Sequence, residues 1–134
     1  MLKRTIIKNS ILVNEGKSFE SDLLICEGRI ERIDRDISHP EAYIIEADGL
    51  NLIPGCIDDQ VHFRDPGLTH KADIATESRA AVAGGITSFM EMPNTIPNTL
   101  TKALLEAKYL IAEKKSVANY SFYMGVSHDN LDEI

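Results

Sequence analysis

Ile57-Asp58-Asp59-Gln60-Val61-His62-Phe63 begins an alternation of strands and helices that sets the fold class. The apolar pattern predicts a strand over residues 57–63, a helix over residues 73–83 that Gly84-Gly85 ends, and a second strand over residues 86–92. Strands that alternate with helices form parallel sheets whose faces the helices cover. This part of the chain therefore predicts an α/β fold.

The same alternation continues toward Ile134. We expect a helix from residue 99 or 100 to residue 115, a strand over residues 119–126, and a further helix that begins at Leu131 after Asp129 or Asn130 as its cap. A closed (β/α)8 TIM barrel takes about 250 residues, so residues 54–134 supply about three of its eight units. The predicted fold is the first part of such a barrel, incomplete in this chain. The apolar face of the second helix is expected to comprise Leu104, Leu105, Ala107, Ile111 and Ala112.

Residues 1–53 have a different pattern, in which short runs rich in Val, Ile and Leu are separated by turn residues. Strands are expected over residues 5–13, 19–26, 29–34 and 42–46. The spacing is typical of a small β-meander. The chain is therefore predicted to have two parts, a β-rich, sandwich-like segment over residues 1–53 and the barrel units over residues 54–134.

Composition restricts the class of partner. The 134 residues carry 14 Lys+Arg and 21 Asp+Glu, a formal charge of −7, and 43% are hydrophobic, which suits a packed core. The longest basic run is Lys114-Lys115, so neither a nucleic-acid surface nor a membrane anchor is indicated, and small-molecule partners are expected. Cys26 and Cys56 are too few for a disulfide framework, which favours the reducing cytoplasm, and both are expected to be buried.

Polar residues gather at the end of the first barrel strand. In an extended backbone Gln60, His62 and Arg64 lie on one side, which would be the barrel interior. Neutral imidazole at the carboxyl end of a barrel strand suits zinc, although a hydrogen-bonded core histidine gives the same pattern. His62 therefore has two interpretations from its position alone.

Arg64 and Asn94 each follow a strand. A guanidinium at a strand end can bind a carboxylate with two hydrogen bonds, or it can pair with Asp65 or Asp73 on the surface. Asn94 in Met92-Pro93-Asn94-Thr95 offers a donor and an acceptor at the same edge, or serves only as a turn residue.

Other polar residues have two interpretations as well. Asp58 could orient the His62 ring or bond to backbone, and Asp73 could cap a helix or contribute chemistry. His128 is expected to be a solvated loop residue, and His39 lies in the β-rich part.

Three motifs together resemble the dihydroorotase family of the amidohydrolase superfamily. They are His62-Phe63-Arg64-Asp65-Pro66-Gly67-Leu68-Thr69-His70-Lys71, then Ala80-Ala81-Val82-Ala83-Gly84-Gly85-Ile86-Thr87, then Met92-Pro93-Asn94-Thr95. The resemblance covers essentially the whole chain. It implies a metal-dependent TIM barrel, preceded by a β-rich segment that pairs with a C-terminal segment. It also implies zinc-dependent, reversible hydrolysis of the cyclic amide of (S)-dihydroorotate to N-carbamoyl-L-aspartate in pyrimidine biosynthesis.

The resemblance assigns roles residue by residue. His62 would be a metal ligand of a site with one or two Zn2+ ions, and Arg64 with Asn94 would hold the substrate carboxylate. The family pattern is His-x-His, and Gln60 occupies the first of these positions, where an amide oxygen is a poorer zinc ligand. His70 matches a stretch of the family that supplies no ligand. The general-base aspartate and further ligands are expected beyond Ile134, so the 134 residues alone are expected to be inactive.

Two alternatives remain. One is a non-catalytic homologue or scaffold, and the other is a cyclic amidohydrolase of hydantoinase or allantoinase type. A full-length enzyme is expected to form a homo-oligomer in the cytoplasm and to be able to associate with another enzyme of the pyrimidine pathway.

Overall fold

The computed structural model describes residues 3–134, and the chain divides into two compact units. The N-terminal unit extends to Pro54, and the C-terminal unit comprises Gly55–Ile134. In the described residues, no helix is long and apolar enough to cross a membrane.

The N-terminal unit is a five-stranded sheet with the order β3-β2-β1-β4, in which β5 also pairs with β1. The pairs β1–β2 and β2–β3 are antiparallel, as expected of a meander, but β4 and β5 run parallel to β1. The meander prediction is therefore wrong after the third strand. The reason is the connection before β4, which places Ile37 in the core with 2% exposure and carries the chain across the sheet. The strands are β1 (Arg4–Asn14), β2 (Lys17–Cys26), β3 (Arg29–Asp34), β4 (Tyr43–Glu46) and β5 (Asn51–Leu52).

Asp22 is a buried carboxylate that holds an irregularity in β1. The β1–β2 register shifts between Ile7 and Ser10, and Asn9 there has a φ of 56°. The Asp22 carboxylate accepts hydrogen bonds from the backbone N–H groups of Asn9 and Ile37, both at 2.8 Å, and pairs with Lys8 Nζ at 2.8 Å. These contacts fix the bulge and the connection before β4 to one side chain.

The C-terminal unit alternates strand and helix as the sequence predicts. Its three strands form a parallel sheet with the order β6-β7-β8. Asp73 caps the first helix by accepting from the Thr76 N–H at 2.9 Å, a contact that lowers the Asp73 pKa, and Thr101 caps the second. The elements are β6 (Cys56–Val61), α1 (Ile74–Ala83), β7 (Ile86–Glu91), α2 (Lys102–Lys115) and β8 (Asn119–Phe122).

Several predicted elements are one to three residues shorter at an end, and the last strand and the last helix are much shorter than expected. Strand β8, the third of the C-terminal unit, ends at Phe122. In the described residues after it, the helical structure is limited to the 3-10 turn Leu131–Glu133. Asn130 does not cap that turn with its side chain. Its amide instead donates to the carbonyls of Leu100 and Gly125 at 2.7 and 2.8 Å and accepts from the Ser127 N–H at 2.6 Å. These bonds turn the chain away from the sheet.

The core of the C-terminal unit lies between the sheet and its helices. Phe89 is 1% exposed and packs against Phe63, with ring centroids 4.6 Å apart and ring planes tilted by 48°. On α2 the expected apolar face needs one correction, because Ala107 is exposed and Lys108 is buried in its place. The cysteine prediction is also wrong, since Cys56 is exposed and Cys26 is half-buried. The buried core residues are Val61, Phe63, Ile74, Phe89, Ala112 and Phe122.

Candidate functional site

The candidate site lies at the carboxyl end of β6 and β7. Val61 and Phe63 are buried against the helices, whereas Gln60 and His62 are exposed on the opposite face of the sheet. This alternation follows from the period of two in an extended backbone. Gln60 and His62 therefore share a face that the helices of this unit leave open.

Arg64 departs from the expected strand geometry. Its φ is 65°, in the left-handed region, so the extended backbone that would place its side chain with Gln60 and His62 ends before it. A side chain in this region costs roughly 1–2 kcal/mol relative to the right-handed one. Non-glycine residues keep such a conformation where the surrounding structure enforces it, which is common at functional sites.

The acidic residues proposed as surface partners of Arg64 are engaged elsewhere. Asp65 is 3% exposed and pairs with Lys115 at 2.6 Å, and Asp73 caps α1. Within residues 3–134 the Arg64 guanidinium makes no ion pair. A cation at a strand end that lacks an internal partner is available for an anionic ligand.

Asn94 lies on a loop that hydrogen bonds hold in one shape. We call residues 93–99 the Asn94 loop. Thr95 and Thr99 are 2% and 1% exposed, and their hydroxyls lie 3.2 Å apart. The Thr95 hydroxyl also donates to the Pro97 carbonyl at 2.8 Å, and the Thr99 N–H donates to the Pro93 carbonyl at 3.0 Å. The loop therefore presents Asn94, which is exposed, on a rigid base.

His62 and Asn94 contact each other directly, with 3.0 Å between His62 Nδ1 and Asn94 Oδ1. A carboxamide oxygen only accepts, so in the tautomer that forms this hydrogen bond Nδ1 carries the proton and Nε2 of the neutral ring keeps its lone pair. Within residues 3–134 the amide nitrogen of Asn94 donates no hydrogen bond, so its N–H groups can serve a ligand. One asparagine can thus orient the imidazole and donate to a ligand.

The loops after β6 and β7 are in contact. We call residues 64–67 the Arg64 turn. The Ile96 N–H donates to the Pro66 carbonyl at 3.2 Å, and Gly67, with a φ of 83°, lies directly against Ile96. A Cβ on Gly67 would be 2.1 Å from the Ile96 carbonyl oxygen. The position of Arg64 is therefore coupled to that of the Asn94 loop.

The remaining predicted residues lie apart from this contact. Asp58 Oδ1 accepts from the Gln60 N–H at 3.1 Å, so it bonds to backbone, and the atom beside the His62 ring belongs to Asn94. His70 and His128 are exposed, and His39 is half-buried with its ring accepting from the Glu41 N–H.

The residues present do not by themselves fit a catalytic zinc. Such a zinc takes three protein ligands, and the described part of the chain holds no group of three or more His, Cys, Asp or Glu side chains placed to bind a metal ion. Gln60 and His62 supply one amide and one imidazole. Arg64 and Asn94, together with His62, can instead bind and orient an anionic ligand.

Two residues that the sequence did not single out lie beneath the site. Glu91 and Lys108 are each 1% exposed and form an ion pair at 2.9 Å. The available signal was the position of Lys108 on α2, four residues after Leu104 and three before Ile111, inside the apolar stripe. A lysine at such a position is buried only with a partner.

Comparison with known proteins agrees with the motifs. The family described as dihydro-orotase-like matches residues 49–130, which is more than half of the chain. The dihydroorotase of Aquifex aeolicus is 44% identical over 119 residues, which cover 87% of this chain and 28% of that protein. The allantoinase of Deinococcus radiodurans is 35% identical over 130 residues, which cover 96% of this chain and 29% of that protein.

Solved structures agree on the fold. The L-hydantoinase (dihydropyrimidinase) of Arthrobacter aurescens superimposes with a TM-score of 0.92 at 33% identity, covering 99% of this chain and 30% of that one. The chain thus spans less than a third of the length of the relatives it matches. The family model, the relatives and the three motifs agree, and the chain belongs to the dihydro-orotase-like family.

Proposed function

We propose that this chain carries the substrate-carboxylate binding part of a dihydroorotase-type cyclic amidohydrolase. The reaction is the reversible hydrolysis of the ring amide of (S)-dihydroorotate to N-carbamoyl-L-aspartate, a step of pyrimidine biosynthesis. Similarity to a dihydroorotase at 44% identity supports the substrate, and similarity to an allantoinase and an L-hydantoinase supports the broader class.

The observation that carries the proposal is the state of Arg64. Its guanidinium has no ion pair within residues 3–134, its backbone holds a left-handed φ of 65°, and its turn packs on the loop that presents Asn94. A guanidinium binds a carboxylate with two parallel hydrogen bonds. We assign the substrate carboxylate to Arg64, with the amide N–H groups of Asn94 as additional donors.

His62 is proposed as one zinc ligand, with its ring oriented by Asn94 Oδ1. The other ligands and the general-base aspartate would have to come from residues other than the described 3–134, which hold no group of three or more His, Cys, Asp or Glu side chains placed to bind a metal ion. The position of Gln60 suits a site with one metal ion or an altered second one. A full-length enzyme is further proposed to be a cytoplasmic homo-oligomer.

A substrate comparison tests the proposal on the protein as its source produces it. Dihydroorotate and dihydrouracil share the ring and differ in the carboxylate, so they form a matched pair, and allantoin and hydantoin represent the related activities. We expect kcat/KM for dihydroorotate to exceed that for dihydrouracil by about 100-fold or more, since a charged bidentate contact contributes about 3 kcal/mol. Equal kcat/KM values for dihydroorotate and dihydrouracil would refute the assignment of the substrate carboxylate to Arg64.

Gln60 favours one other candidate, a non-catalytic homologue that acts as a scaffold. This candidate predicts a protein without stoichiometric zinc that hydrolyses none of the four substrates even at high protein concentration. Metal analysis of the same preparation, followed by the four assays, separates the two candidates. Reproducible metal-dependent turnover would exclude the scaffold.

A further inference from the structure

The buried Glu91–Lys108 pair lies in the apolar core of the C-terminal unit. Lys108 Nζ is 2.9 Å from Glu91 and 4.8 Å from the centroid of the Phe122 ring. Burial raises the pKa of Glu91 and lowers the pKa of Lys108, because each group favours its neutral form away from water, and the contact between them opposes both shifts. Taking both charges from water is expensive, and a well-packed apolar pair is often at least as stable. Stability alone therefore does not explain the pair.

The contacts of the pair extend to both loops of the candidate site. Lys108 Nζ donates to the Met92 carbonyl at 3.1 Å, immediately before the Asn94 loop. The backbone N–H of Arg64 lies beside the Glu91 carboxylate and favours its charged form. The pair thus reaches the backbone before the Asn94 loop through the Lys108 hydrogen bond, and the backbone N–H of Arg64 acts on the charge of Glu91.

The Glu91 carboxylate is buried against a single cation. Among the residues that the structure describes, Lys108 is the side chain that pairs with this 1% exposed group. Buried charges are tolerated only when they are paired, so Glu91 and Lys108 depend on each other. Here the carboxylate is held between Lys108 and the Arg64 backbone.

We propose that the Glu91–Lys108 pair is a positioning device that fixes the Arg64 turn and the Asn94 loop relative to each other, so that both residues meet one carboxylate. The proposal rests on the proposed function for the identity of the ligand. Neither residue touches the substrate. Glu91 acts through the backbone of Arg64, and Lys108 acts through the backbone of Met92.

The test replaces the pair by apolar side chains of similar size in the protein as its source produces it. The variant is Glu91→Leu/Lys108→Met, and the control is Lys114→Met, which removes an exposed lysine from the same helix. Thermal unfolding checks the fold, hydrogen–deuterium exchange reports residues 62–68 and 92–99, and steady-state kinetics give KM and kcat for dihydroorotate and dihydrouracil.

We expect the double variant to unfold at or above the wild-type temperature, with faster exchange in both loops. KM for dihydroorotate should rise about tenfold with kcat little changed, because ground-state binding is lost, whereas dihydrouracil should be unaffected. A folded double variant with wild-type exchange in both loops and an unchanged KM would overturn the proposal. If this variant does not fold, Glu91→Gln/Lys108→Met decides the question by the same readouts.

The two proposals fail in different ways. If the wild type turns over none of the substrates, the proposed function fails, and loop exchange alone decides the positioning role. If the wild type is active and the double variant keeps wild-type loops, the proposed function stands and the positioning role is wrong.

Discussion

Replacing Gly67 by alanine should disturb the candidate site far more than the same change at Gly85. Both glycines have left-handed backbones, with φ of 83° and 88°. Their surroundings differ, because a Cβ at Gly85 would meet nothing within 4 Å, whereas a Cβ at Gly67 would lie 2.1 Å from the Ile96 carbonyl oxygen and 2.7 Å from Ile96 Cβ. Gly85→Ala therefore measures the cost of alanine in a left-handed backbone alone, and it is the matched control for Gly67→Ala.

The magnitude follows from these distances. Each substitution costs roughly 1–2 kcal/mol because alanine disfavours the left-handed region. Gly67→Ala must also move the Ile96 carbonyl from 2.1 Å to the 3.4 Å of an ordinary contact. Overpacking of this kind costs about 1–3 kcal/mol more. A shift of about 1 Å in a positioning loop lowers kcat/KM by about 100-fold.

Urea unfolding, monitored by tyrosine fluorescence, measures the free energy of unfolding of each variant. Tyrosine is a suitable probe because the chain has no tryptophan and three of its four tyrosines lie in the C-terminal unit. The rate of dihydroorotate hydrolysis measures the change in kcat/KM. We expect Gly67→Ala to be the less stable variant and to lose activity, while Gly85→Ala keeps wild-type kcat/KM. If the two variants were equal in stability and activity, the two loops would not be coupled through Gly67.

Three further changes test the fold. Asp22→Asn should destabilise the N-terminal unit by about 2 kcal/mol at neutral pH through loss of charged hydrogen bonds, measured by urea unfolding. Burial would raise the pKa of Asp22, but the bonds from Lys8 and two backbone amides lower it below its ordinary 3.8, so the wild-type advantage should be present above about pH 4 and be lost as the pH falls through the lowered value. An advantage that stayed constant as the pH fell below 4 would contradict this assignment. Asn130→Asp places oxygen against two carbonyls and should cost about 3 kcal/mol by thermal unfolding, whereas a cost below about 0.5 kcal/mol would show that these bonds do not hold the turn. Thr101→Ala removes a helix cap and should cost about 1 kcal/mol in the same assay, with Thr101→Ser close to wild type, and an equal loss in both would exclude capping.

Local patterns allowed most elements to be predicted. Strand β3 was expected over residues 29–34 and lies there. Asp73 caps α1 because its side chain has a local partner, the N–H of Thr76, three residues ahead. Apolar periodicity also distinguished the β-rich part from the alternating part. These features depend on neighbours within about one turn, which a sequence displays directly.

Features that depend on distant partners could not be predicted in the same way. The parallel pairing of β4 with β1 follows from where Ile37 packs, and the φ of 65° at Arg64 ends the extended backbone that the neighbouring sequence predicts. The predicted apolar face of α2 did not include Lys108, because its burial depends on Glu91, which lies on a neighbouring strand. The contact between His62 and Asn94 likewise joins two strand ends that are 32 residues apart.

The proposed contact between Arg64 and the substrate carboxylate is tested most directly by the variant Arg64→Gln, assayed on dihydroorotate and dihydrouracil. Arg79→Gln, which changes an exposed arginine of α1, is the control. We expect Arg64→Gln to raise KM for dihydroorotate by about 100-fold and to leave kcat and KM for dihydrouracil within about twofold of wild type, because only the carboxylate contact is lost. An equal rise in KM for dihydroorotate and dihydrouracil, or a wild-type KM for dihydroorotate, would contradict a carboxylate contact by Arg64.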